Sequence, residues 1–144
     1  MPSEKAESGP QTVLVVDDDA DFLDVMRQVI EEENFRALIA SNGEEALRIL
    51  ESGETPCLII LDLKMPGMDG PEFRRRQLLH PRIAQIPVVG FTGAADGEAE
   101  ARRLALSSYL QKPVHLHQLL ETVAHYCSDP DHIDSASRPA SAAR

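Results

Sequence analysis

Leu58-Ile59-Ile60-Leu61-Asp62-Leu63-Lys64-Met65-Pro66-Gly67-Met68-Asp69-Gly70 opens as four consecutive apolar residues, reaches a carboxylate, and breaks into a loop of Pro and Gly. An apolar run of this length, bounded by turn signals, reads as a strand buried on both faces. Asp62 then stands at the carboxyl end of a central parallel strand, where open α/β sheets form their ligand crevice. An acid at such a tip serves as metal ligand, nucleophile or helix N-cap. The cap reading is the weakest, because Lys64-Met65-Pro66-Gly67 cannot start a helix directly.

The flanking sequence repeats this design. Upstream, Thr12-Val13-Leu14-Val15-Val16 is a first buried strand and ends in Asp17-Asp18-Asp19. Asp19 or Asp21 can cap the helix that follows, whose apolar face is Phe22, Met26, Val29 and Ile30. Asn34 can end it in the left-handed conformation. Residues 36–40 form a second strand. Ser41-Asn42-Gly43-Glu44 has the Ser-x-x-Glu capping box, Ala46, Leu47 and Leu50 face inward, and Gly53 stops that helix. Downstream of Asp62, Asp69 is expected to cap a third helix with Pro71 in its first turn. Its pattern is poor: Phe73 is followed by Arg74-Arg75-Arg76-Gln77. Residues 86–91 form a fourth strand ending in Thr92. A small-residue loop leads to a fourth helix with Ala101, Leu104 and Ala105. Tyr109-Leu110-Gln111 is a fifth strand, followed by Lys112-Pro113. The last helix carries Leu116, Leu119, Leu120 and Val123.

Five strands alternating with five helices predict an α/β fold, a three-layer doubly wound (βα)5 parallel sheet with right-handed crossovers. Residues 11–127 are expected to be one domain. Residues 1–10 and 128–144 lack a core-forming pattern and read as a disordered lead-in and tail. Composition agrees, with 144 residues and 42% apolar content. A net charge of -10 leaves no excess of cations for phosphate backbones, so direct nucleic-acid binding is not expected. No apolar run approaches the ~20 residues of a membrane span. Cys57 and Cys127 fit neither a metal spacing nor a disulfide framework; Cys57 reads as a small core residue in a reducing, cytoplasmic setting. The five histidines are scattered, and surface positions are expected for each.

Chemistry collects at the strand ends: Asp17 and Asp18 after the first, Asp62 after the third, Thr92 after the fourth, Lys112 after the fifth. In a parallel sheet these ends point one way, so the groups share a crevice. Singly, a strand-end Asp is usually a cap, Thr is satisfied locally and Lys is solvated. The conjunction points to function. Three neighbouring carboxylates repel, and a hard divalent cation that keeps several waters, Mg²⁺, compensates them. Such an ion also draws in phosphoryl groups, whose remaining oxygens suit Thr92 and Lys112. The residues therefore suggest Mg²⁺-dependent phosphoryl transfer to a carboxylate.

Val15-Val16-Asp17-Asp18-Asp19, Leu61-Asp62-x-x-Met65-Pro66-Gly67-Met68-Asp69-Gly70, Phe91-Thr92 and Tyr109-Leu110-Gln111-Lys112-Pro113 together resemble the signatures of response regulator receiver domains, the CheY-like phosphoacceptor modules of bacterial two-component systems. The resemblance covers residues 12–126, in order and with family-like spacing. It implies the flavodoxin-like strand order 2-1-3-4-5. It also implies roles. Asp62 is the phosphoacceptor. Asp18, Asp62 and the backbone carbonyl of Lys64 ligate Mg²⁺, with Asp17 acting through water. Thr92 and Lys112 bind the phosphoryl group, and the Lys112-Pro113 bond is cis. Thr92 and Tyr109 form the switch. The implied partners are a histidine kinase or histidine phosphotransfer protein and a downstream protein bound on the face from the fourth to the fifth helix, without nucleic acid or membrane. The only catalysis implied is the chain's own phosphorylation and dephosphorylation.

The chain departs from that pattern in places. Lys64 and Ala94 occupy the positions that flank the phosphoryl group. Gly93 replaces the commoner Ala. Before Tyr109, Ala105-Leu106-Ser107-Ser108 stands where a Gly-Ala pair is usual. The departures after Thr92 fall on the fourth helix and its loops, and none touches the acceptor chemistry. Two other readings compete. A haloacid-dehalogenase-like phosphatase would use Asp17 as nucleophile and Asp19 as general acid, but leaves the Asp62 loop unexplained. A receiver-like binding module that is never phosphorylated would usually lack one of the acids or the Lys, and all are present.

Overall fold

A computed structural model describes residues 11–64, 70–93 and 97–127. Its strands are β1 (Thr12–Val16), β2 (Arg36–Ala40), β3 (Leu58–Asp62), β4 (Val88–Thr92) and β5 (Ser108–Gln111). They form one wholly parallel sheet in the order β2-β1-β3-β4-β5. The helices are α1 (Ala20–Glu32), α2 (Gly43–Glu51), α3 (Gly70–Leu78), α4 (Pro81–Ala84), α5 (Gly97–Arg103) and α6 (Leu116–Cys127). The expected strand order and alternation are observed. The one-turn helix α4 was not expected: Pro81 supplies a fixed first turn after His80.

Strand alternation divides the core into two layers. Val13, Val15, Leu58, Ile60, Val89 and Phe91 pack with Leu23, Met26 and Ile30 of α1 and Leu119 and Val123 of α6. Leu14, Val16, Ile59, Leu61 and Val88 pack with Ala46, Leu47 and Leu50 of α2, Phe73 of α3 and Ile83 of α4. Every residue of β3 is buried, as its continuous apolar run requires. At roughly 25 cal/mol per Å² of apolar area removed from water, these two layers are the main source of stability.

The helix ends follow their caps, with one shift. Asp19 caps α1 by accepting from the Phe22 N–H, and Asn34 leaves it at φ 70. The box on α2 lies one residue later than expected. Asn42 accepts from the Glu45 N–H, and Glu45 reaches back to the N–H and hydroxyl of Ser41. Asp69 lies outside the described residues, as do the expected lead-in and tail.

The cysteines overturn an expectation. Cys57, just before β3, and Cys127, at the end of α6, form a disulfide with Cα atoms 5.4 Å apart. At a sequence separation of 70, no local spacing signals the pair; the fold brings them together. The bridge pins α6 at the end of the sheet opposite Asp62. Closing so long a loop restricts the unfolded chain, and reduction is expected to cost about 2–4 kcal/mol. A urea midpoint that falls on reduction, and equally in Cys57→Ser, is the expected result. Quantitative alkylation of both thiols in unreduced, denatured protein would contradict the bridge.

Candidate functional site

β1 and β3 are neighbours, so their carboxyl ends bring Asp17, Asp18 and Asp62 together. One oxygen from each of the three carboxylates lies within 4.8 Å of the others. Asp17 and Asp62 are 2% exposed, whereas Asp18 faces solvent. Two backbone amides orient the buried pair. The Asp19 N–H donates to Asp17 Oδ1 at 2.9 Å, and the Lys64 N–H donates to Asp62 Oδ1 at 3.0 Å. Lys64 itself points into solvent.

The cation comes from the far side of the crevice. Lys112 Nζ lies 3.5 Å from Asp62 Oδ2 and 4.9 Å from the centre of the Phe91 ring. Phe91 in turn stacks on Phe22 of α1 at 5.0 Å. The sequence reading missed this aromatic shelf, because Phe22 and Phe91 both fit ordinary core positions. The Lys112-Pro113 bond is cis, as expected, and the Lys112 N–H donates to the Thr92 carbonyl at 2.8 Å. Thr92 is 2% exposed. Tyr109 is half-buried, and Gly97 at the start of α5 lies between the two. A Cβ on Gly97 would sit 2.8 Å from Thr92 Cγ2 and 3.0 Å from the Tyr109 ring. Only glycine lets Thr92, α5 and Tyr109 approach this closely. Ala94 lies outside the described residues.

One charge against three leaves the crevice over-acidic. Burial lifts the Asp17 carboxyl from 3.8 to about 6; the Asp62 and Asp18 carboxylates add to the rise, and the Asp19 amide and Lys112 oppose it. Oxygen donors, close spacing and excess negative charge all fit a hard divalent cation. Asp19, which a phosphatase would use as general acid, is occupied as the cap of α1.

The burial of Asp17, with the neighbouring carboxylates adding to it, has a measurable consequence without metal. Asp17 titrates near 3.8 unfolded and about 6 folded. Between these values the folded chain holds a proton that the unfolded chain has released, so stability falls as pH rises through that window. Asp17→Asn is expected to flatten this slope and to raise metal-free stability above the window by about 1–3 kcal/mol. Urea midpoints of wild type and variant that run parallel across the window would exclude the effect.

The model of the response regulator receiver domain matches residues 13–124. An uncharacterised 14.6 kDa protein of Leptolyngbya boryana is 38% identical over 117 residues, covering 80% of this chain and 88% of that protein. Sporulation initiation phosphotransferase F of Bacillus subtilis is 28% identical over 116 residues, covering 81% and 93%. Among solved structures, the receiver domain of the sensor histidine kinase PA1611 from Pseudomonas aeruginosa, with a magnesium ion coordinated in its active-site cleft, superposes with a TM-score of 0.75 at 21% identity, covering 84% of this chain and 100% of that one. The order β2-β1-β3-β4-β5, the acidic crevice and the match over residues 13–124 lead to one conclusion: the chain belongs to the response regulator receiver domain family.

Proposed function

We propose that this chain accepts a phosphoryl group on Asp62 from a phosphohistidine of a histidine kinase or phosphotransfer protein, and passes the signal on through Thr92 and Tyr109. The observation that carries the reading is the placement of Asp62. It is buried within 4.8 Å of two further carboxylates and 3.5 Å from an ammonium. A carboxylate so placed can receive a group whose oxygens need cations on both sides.

In the transfer, an Asp62 oxygen attacks phosphorus in line. The O–P bond forms, the P–N bond breaks with its electron pair left on the imidazole, and the imidazole takes up a proton on release. Lys112 pairs with a phosphoryl oxygen, and the Thr92 hydroxyl donates to another. Asp18, Asp62 and the backbone carbonyl of Lys64 would hold Mg²⁺, with Asp17 acting through water; bound there, the ion supplies positive charge to the phosphoryl oxygens. The ion reported in the Pseudomonas domain supports this assignment.

Thr92 is drawn toward the phosphoryl group, and Tyr109 follows across Gly97. The face from α5 to α6 is the surface a downstream protein reads. The role is signalling: the chain's chemistry is confined to gaining and losing its own phosphoryl group. The proposed setting is the cytoplasm, where kinases find ATP. There the disulfide must resist the thiol pool; Cys127 is 1% exposed, and Cys57 is partly buried.

Acetyl phosphate with Mg²⁺ is expected to add one phosphoryl mass to the intact protein, and none to Asp62→Asn. Omitting Mg²⁺ should abolish the adduct. Label on Asp17 would restore the phosphatase reading, and no adduct on folded wild type would favour a binding module. Lys112→Ala is expected to keep the fold but to uncouple phosphorylation from partner binding. A partner response equal to wild type would remove Lys112 from the switch.

A further inference from the structure

Gln77 is 0% exposed, although Arg74-Arg75-Arg76-Gln77 carries no apolar stripe. Its Nε2 donates to the carbonyls of Ile83 and Ile86 at 2.9 and 3.1 Å. Its Oε1 accepts from Arg74 Nη1 at 2.8 Å. The rest of the Arg74 guanidinium reaches a different element. Nε donates to the Leu104 carbonyl at 3.1 Å and Nη2 to the Ala105 carbonyl at 2.7 Å. These two carbonyls lie just past the end of α5, the helix that starts against Thr92 and Tyr109. Carbonyls at a helix C-terminus lack intrahelical partners and favour a cation, and the planar fork of arginine satisfies two at once.

The turn that Arg74 holds is an unusual one. The Leu106 N–H donates to the Ala101 carbonyl and the Ala105 N–H to the Arg102 carbonyl. This is the Schellman pattern, whose left-handed position is normally glycine. Here it is Ala105, at φ 57. A Cβ disfavours that conformation, so it persists only where its surroundings enforce it. Beyond the turn, Leu106 fills the space over β4. A Cβ on Gly90 would lie 2.8 Å from Leu106 Cδ1. The C-terminal end of α5 is thus fixed by a guanidinium from α3, by a tight turn, and by a leucine seated over a glycine.

We propose that Arg74 is a clamp that holds α5 in its resting position, and so sets how readily a phosphoryl group on Asp62 draws Thr92 and Tyr109 into the signalling arrangement. The inference rests on the receiver reading of the acidic crevice. Arg74 touches none of the reacting groups; it is a positioning residue. Its bonds join α3 to the end of α5, so displacing α5 relative to α3 breaks them. Interactions made in one of two states bias the equilibrium toward that state. Loss of the clamp therefore favours the state that binds the phosphoryl group, and the apparent affinity for a phosphoryl analogue rises.

The test is a beryllofluoride titration of Mg²⁺-saturated wild type, Arg74→Ala and Arg74→Lys, followed through backbone amide resonances of α5 and Tyr109, with urea midpoints in parallel. Arg74→Ala is expected to bind beryllofluoride about tenfold tighter than wild type, and its free-state α5 resonances should already lie toward their bound positions. Arg74→Lys, which keeps the charge but not the fork, should fall between the two; if the alanine variant does not fold, the lysine variant decides by the same criterion. A lowered urea midpoint with wild-type beryllofluoride affinity would show a purely structural role and overturn the clamp. Wild type that binds no beryllofluoride would overturn the receiver reading, and the clamp with it.

Discussion

Mutual repulsion of three carboxylates is the constraint around which the molecule is arranged. It follows from topology: parallel strands deliver their carboxyl ends to one side, and β1 beside β3 brings Asp17 and Asp18 to Asp62. The sheet must then be stable enough to hold like charges together. Two apolar layers do this from either face, with β3 buried along its whole length. The unfavourable charge is therefore a stored preference for cations. The ammonium that answers it, on Lys112, lies over Phe91, which stacks on Phe22.

Much of the architecture was legible because parallel strands announce themselves. Buried runs such as 58–61 alternate with helices whose apolar residues recur at the helical period. The site was legible for the same reason, since strand ends converge whatever the helices do. Features set by three-dimensional proximity were not legible. Cys57 and Cys127 look unrelated in the sequence because their juxtaposition depends on α6 crossing under the sheet. Gln77 breaks the apolar pattern of its helix, yet it is buried, where its amide donates to the carbonyls of Ile83 and Ile86. The capping box slipped by one residue because Asn42 outcompetes Ser41 for the cap, with Glu45 serving both.

The two ends of the sheet differ in how they are held. At the carboxyl end, contacts depend on small residues and charge: Gly97 against Thr92 and Tyr109, and Lys112 against Asp62. Such contacts can be exchanged for others of similar energy. At the amino end, apolar packing and a covalent bond leave little to exchange.

The bridge at Cys127 also restricts the motions open to α6. A helix fastened to the sheet at its last residue cannot slide along its own axis; it can only swing about that point. Its 12 residues make an arm about 18 Å long, so a swing of about 10° carries the Leu116 end, close to Lys112-Pro113, through about 3 Å. The disulfide thereby places the fastened end of α6 far from the acidic crevice and its other end beside it.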